Sequence, residues 1–183
     1  MPILRRYPQE EGVRYDPISD SVILLGEYKG ALPIVGVRRI AMDSGAVELN
    51  DMQAFDEVYI GSNCIVKGNV GSGLKVTIDT AKGDPTVIIG DISAVPIVEE
   101  RKTTETSITI IGKGNVVIHG NLVAYNVRIN VPAVILGDIV SKGDLMINGP
   151  SLILGRVVSE GSLQISSATV FQIYSKGDVI LGP

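Results

Sequence analysis

The sequence predicts an all-β chain wound into a right-handed parallel β-helix, a triangular β-solenoid with about 18 residues per turn. Three observations carry that expectation. Val127-Arg128-Ile129 returns as Leu145-Met146-Ile147 and again as Leu163-Gln164-Ile165, 18 residues on each time; Val134-Ile135-Leu136-Gly137-Asp138-Ile139 likewise returns as Leu152-Ile153-Leu154-Gly155-Arg156-Val157. Within each repeat the apolar positions alternate, 127 with 129, 145 with 147, 163 with 165, which is strand periodicity. Gly137, Gly143, Gly149, Gly155 and Gly161 fall every six residues, so each period has three corners.

A period of 18 is too short for a helix pair, since each helix needs roughly 10–12 residues. It suits three short strands and three tight turns. Successive turns then pair in parallel about 4.8 Å apart. Ile129, Ile147 and Ile165 become one interior column. The alternative is a left-handed hexapeptide β-helix, which places an aliphatic residue before nearly every corner glycine. Here those positions read Leu136, Lys142, Asn148, Leu154 and Glu160, and the apolar pattern repeats at 18 rather than at six. The right-handed form fits better.

The composition agrees. Hydrophobic residues make up 45% of 183, with no Trp and only two Phe, which suits a narrow core of stacked Val, Ile and Leu. The net charge is −4, with 16 basic residues spread along the chain, so there is no basic footprint for nucleic acid. The single Cys64 forms no internal disulfide and fits a reducing, cytoplasmic compartment. No apolar run is long enough to span a membrane, and the N-terminus lacks an apolar signal core.

Residues 1–21 are polar, with mixed charge, and read as a loose N-terminal tail. Ile3-Leu4 followed by Arg5-Arg6 has the make-up of a small membrane-surface contact, but one apolar pair and two cations bind weakly, and a solvated terminus is the simpler reading. In residues 22–45 the repeat is blurred, as expected of an N-terminal cap or degenerate first turn. From residue 46 to 183 the β-helix core is legible. Val47-Glu48-Leu49 returns as Ile65-Val66-Lys67, and Val58-Tyr59-Ile60 as Val76-Thr77-Ile78. Corners recur as Gly68-Asn69, Gly90-Asp91, Gly120-Asn121 and Gly137-Asp138, with Gly155-Arg156 breaking the series; without double glycines this is turn chemistry rather than a calcium ladder. Two insertions interrupt the stack, at 79–85 and 94–106, and the longer reads as a solvated, charged excursion.

Few residues suggest catalysis. One histidine, His119, cannot supply a three-histidine zinc site. It stands where Leu136 and Leu154 stand in later turns, which favours a structural or exposed role over a general base. There is no phosphate-cradling loop and no dinucleotide fingerprint, so no cofactor is expected. Cys64 reads as core filler.

Two surface features stand out instead. Counting by sixes puts Ile135, Ile153 and Phe171 inward, so Val134, Leu136, Leu152, Leu154 and Val170 form an outward aliphatic stripe. Such a stripe calls for a cover, either the N-terminal segment folded back, which is favoured, or another molecule. The final turn is short, with 16 residues from Leu163 to Val179. A solenoid finishing on a bare turn presents unpaired backbone and an open core to another copy. The expected contact is Phe171, Ile173, Val179, Ile180 and Leu181 at one end and residues 22–40 at the other.

The stretch Val116-Val117-Ile118-His119-Gly120-Asn121-Leu122-Val123-Ala124-Tyr125-Asn126-Val127-Arg128-Ile129 resembles a bactofilin turn, as do Leu136 to Ile147 and the Leu154-Gly155-Arg156-Val157-Val158 turn after it. The resemblance covers roughly residues 46–183. It implies a right-handed β-helix core that self-assembles without nucleotide into cytoskeletal filaments, often at the inner membrane surface. It implies a scaffold that helps set cell shape and positions client proteins, with itself as main partner. It also implies an apolar terminal turn at the subunit contact, where Phe171 lies. The alternatives are a solenoid acyltransferase, with His119 as base and the 94–106 loop shaping a cleft, and a viral or surface structural β-helix.

Overall fold

The computed structural model describes residues 11–98 and 101–182. The chain is all-β and forms a parallel β-solenoid of about nine coils, with no α-helix among the described residues. The first side of the triangle stacks Val22, Ile40, Val58, Val76, Ile108, Val127, Leu145, Leu163 and Val179 in one parallel column. The second side stacks Val66, Ile88, Ile118, Ile135, Ile153 and Val170. The third stacks Ile34, Met52, Val70, Ile92, Leu122, Ile139, Val157 and Ile173. Strand alternation sends every second side chain inward, and the expected column of Ile129, Ile147 and Ile165 is present and buried. Each fully buried aliphatic contributes about 1.5–3 kcal/mol relative to exposure.

The corners explain the recurrent Gly-Asx pairs. Between the second and third sides, the side-chain Oδ1 of each Asx accepts the backbone N–H of its counterpart one coil on. The chain of bonds runs Asp51 to Asn69 (2.7 Å), Asn69 to Asp91 (2.9 Å), Asp91 to Asn121 (2.7 Å), Asn121 to Asp138 (2.7 Å) and Asp138 to Arg156 (2.7 Å). Asp alternates with Asn, which keeps carboxylates two rungs apart, roughly 10 Å at 4.8 Å per rung, and weakens their repulsion. Arg156 has no acceptor to offer the next coil, and its Nη2 donates back to Asp138 Oδ2 at 2.9 Å. That guanidinium, helped by the Arg156 backbone N–H, holds the Asp138 carboxyl below its ordinary value of 3.8. The glycines are needed for close approach: a Cβ on Gly155 would lie 2.1 Å from the Gly137 carbonyl oxygen, and one on Gly137 2.3 Å from that of Gly120.

Small residues close the third side at its far corner. Ser72 Oγ donates to the Asp56 carbonyl at 2.9 Å and accepts from Lys75 N–H at 3.1 Å; Ser141 Oγ lies 2.7 Å from the Tyr125 carbonyl. These hydroxyls stitch one coil's bend to its neighbour. No buried side-chain N or O among the described residues lacks a partner.

The N-terminal region differs from the sequence expectation. Residues 13–16, read as part of a loose tail, form strand β1 (Val13–Asp16), antiparallel to β2 (Ser21–Leu24). The turn is fixed by Asp16, whose carboxylate accepts from Ile18 N–H and Ser19 Oγ, and by Tyr15, whose hydroxyl donates to Asp20 at 2.7 Å. Of the two expectations for residues 22–45, the degenerate turn fits and the cap does not: Ser21, Arg39, Glu57 and Lys75 stack in register at the full period. The blur has a cause. On the second side the inward position of the second coil is the buried Glu48, and of the first, Gly30. A Cβ on Gly30 would lie 2.5 Å from Tyr28 Oη, so glycine leaves room for the Tyr28 ring. Its hydroxyl donates to Glu48 Oε2 at 3.0 Å, and Asn50 N–H donates to Oε1 at 3.0 Å. A polar pair thus replaces an aliphatic rung, hiding the repeat.

Ala94 and Thr106 belong to the buried coil, so the longer insertion spans only the residues between them. Its described residues are mostly exposed, as expected, but it is tethered: Arg101 Nη2 donates to Asp56 Oδ1, while Arg38 Nε donates to Asp56 Oδ2 at 3.0 Å.

Gly137→Ala should destabilise the chain by about 2 kcal/mol or more, lowering the melting temperature by roughly 4–8 °C. Gly71→Ala, whose Cβ would meet nothing closer than 3.6 Å, should stay within about 0.5 kcal/mol of the parent. Thermal denaturation of the two variants decides it. Asp138 has a lowered folded-state value, so its contribution is present above the unfolded value and is lost as pH falls through the folded one. Arg156→Met should therefore flatten the acid limb of a stability–pH curve, by a small amount because the pair is partly solvated.

Candidate self-association surfaces

The two ends of the solenoid are built differently. At the C-terminal end the last rung, Val179–Leu181, pairs with Leu163–Ile165 and is itself covered by nothing among the described residues. Val179 and Leu181 top two interior columns of the first side, and Ile173 tops one of the third. The same columns that are buried one coil earlier are open here, with Ile173 38%, Val179 47% and Leu181 66% exposed. Three of the five residues expected at this contact therefore present core positions to solvent. The other two, Phe171 and Ile180, are exposed on outward flanks.

Residues 22–40, expected to form the matching end, do not. Val22, Leu24, Tyr28 and Ile34 are 0–1% exposed. β1 occupies the edge of β2, Leu25 N–H donates to the Gly12 carbonyl at 2.7 Å, and Val13, Tyr15 and Leu32 pack onto the core. The N-terminal core is buried and its first-side edge is paired, whereas the C-terminal coil is open.

The second side carries the other apolar surface. Val134, Leu136 and Leu154 are exposed outward, and Leu152 is half-buried in the same stripe. Val170 was expected there but points inward over Ile153, and Phe171, expected inward, is 66% exposed above Leu154. The inversion comes from the register shift between Asn148 and Ser151; a second, between Ile153 and Arg156, restores the parity, so that Ile173 again stacks over Val157. Losing one residue moves every later side chain to the opposite face. The stripe runs on through the earlier coils. In register below Leu152 and Val134 lie Val117, Val87, Ile65 and Val47, all outward and half-buried or exposed. The parallel outward row contains Leu49, Ile89, Leu136, Leu154 and Phe171, interrupted by Lys67 and His119. Fold-back of the N-terminal segment onto this side was favoured from sequence; of that segment the described strand, β1, packs against the first side. Ile3, Leu4, Arg5 and Arg6 lie outside the described residues.

His119 sits exposed in that flat row, at the corner between second and third sides, whereas the insertion after Ala94 leaves from the far end of the third side. The imidazole and the loop do not share a cleft. Cys64 is buried in the interior, where desolvation pushes its thiol above the ordinary value. No group of three or more His, Cys, Asp or Glu among the described residues is placed to hold a metal ion, and no described helix is long and apolar enough to cross a membrane. No protein-family model matches the chain, and no curated protein or solved structure is detectably similar to it.

Arg101→Ala should free the insertion from Asp56 and speed proteolytic cleavage within it several-fold, with the melting temperature nearly unchanged. Equal cleavage of variant and parent would show that the ion pair does not hold the loop.

Proposed function

We propose that this protein is a nucleotide-independent, self-assembling scaffold of the bactofilin kind, whose β-solenoids join through their C-terminal coils. The observation that supports it is the contrast between a sealed first coil and a last coil whose core columns open to solvent. An exposed strand edge with a hydrophobic floor is a ready template for another solenoid. Each half-exposed aliphatic that becomes covered contributes about 1 kcal/mol, and each strand hydrogen bond completed adds roughly 0.5–1.5 kcal/mol. A handful of each offsets the association cost of about 4 kcal/mol or more. Association energy then resides in the edge itself, and neither cofactor nor catalytic residue is required.

Two open ends meeting each other make an isologous contact and close a pair. Filaments need a second contact on each subunit, and the apolar second side offers one. In this reading the polymer is cytoplasmic, lies at the inner membrane surface through Ile3, Leu4, Arg5 and Arg6, and positions client proteins.

Purified protein in buffer without nucleotide should form filaments visible by negative-stain electron microscopy. Leu181→Arg places a charge on the open core and should abolish them while leaving a folded β-rich chain by circular dichroism. Persistent filaments in that variant would refute the C-terminal contact.

A further inference from the structure

The second side is a flat parallel sheet face whose outward positions from the second to the seventh coil are aliphatic except for Lys67 and His119, with no carboxylate among them. Six rungs about 4.8 Å apart make it roughly 29 Å long. With its rims it would bury on the order of 500 Å² per copy, about 1,000 Å² for a pair, the size of a weak, reversible interface. We propose that this face binds a second copy of the same chain, face to face and with the solenoids antiparallel.

The register supports both the occupant and its direction. An antiparallel two-fold centred between the fourth and fifth coils sets Val87 against Val117, Ile65 against Val134 and Val47 against Leu152 of the second copy, so every contact in this column is aliphatic on aliphatic. The bordering corner carries the Asx ladder, and the same axis runs it against itself in reverse. Asp51 then faces Arg156, Asn69 faces Asp138 and Asp91 faces Asn121, so no carboxylate opposes another. Lys67, the cation in the stripe, lies over Leu136 of the second copy with its ammonium directed toward that copy's Asp138. An anionic lipid surface fits worse, because Asp51, Asp91 and Asp138 line the rim that would meet it. The pairing also supplies the second isologous contact that the assembly reading above needs, and to that extent it rests on that reading. Alternating the two contacts gives an open chain without using the sealed N-terminal coil.

The test uses the full chain carrying Leu181→Arg, to remove the end contact. Sedimentation equilibrium should show a dimer at micromolar concentration, and adding Val117→Lys should make it monomeric with an unchanged β-sheet spectrum. Val87→Cys and Val117→Cys, each made singly in the Leu181→Arg chain, should crosslink under oxidation when mixed and not when alone; Cys64 is buried and does not compete. A monomer at all concentrations overturns the proposal. So does a dimer that crosslinks only like with like, and so does a dimer that appears only after residues 1–10 are removed, which would make that segment the cover. The two readings fail separately. Cysteine variants that crosslink when mixed, from a wild-type chain that never forms filaments, leave this pairing standing. Filaments abolished by Leu181→Arg, with no crosslink in the variants, leave only the end contact.

Discussion

Everything in this molecule depends on backbone pairing between one coil and the next. Parallel ladders hold equivalent residues about 4.8 Å apart, so each side chain's main neighbours are its own counterparts above and below. Interior columns, the Gly155-over-Gly137 stack and the Asx ladder all follow from that constraint. It explains why the composition is so narrow. A residue is chosen for fit against near-copies of itself, which favours Val and Ile inside, glycine at close corners and an amide or carboxylate where one rung must accept the N–H of the next.

The same repetition that stabilises the coil creates two hazards, like charges stacked on like charges and exposed ends. The corner ladder handles the first by alternating Asp with Asn and ending on Arg156, whose guanidinium turns back to Asp138. The N-terminal end handles the second with non-repeating structure: an antiparallel strand over the first side, and the Tyr28 ring laid across Gly30 with its hydroxyl on the buried Glu48. The C-terminal end carries no such device among the described residues. Its apolar columns stop in solvent, and its last full coil is shortened so that Phe171 turns outward. A covered end and an open end are different chemical objects.

The insertion after Ala94 shows how the stack tolerates extra chain. The loop leaves and returns at one corner, and Arg101 ties it to Asp56 from an earlier coil. Its charged sequence suggested a solvated excursion, and most of its described residues are exposed; the tether was not legible because composition reports charges and not their partners. His119 teaches the converse: its outward place beside Leu136 and Leu154 was legible from the period alone, and the structure keeps it there.

By itself the sequence determined the solenoid, its period, its three corners, the interior column of Ile129, Ile147 and Ile165, and the buried place of Cys64. These are legible because a repeat writes each contact many times over. What is written only once was decided by tertiary structure. Val170 and Phe171 exchanged faces because the loss of one residue just before them shifts the register without altering the apolar count. Residues 22–45 looked irregular because Tyr28, Gly30 and Glu48 substitute a polar plug for an aliphatic rung, a combination that makes sense only when the three are seen in contact. Which end is closed was likewise out of reach, since sealing comes from an antiparallel strand whose partner is set by the turn at Asp16 and Asp20 and not by the period.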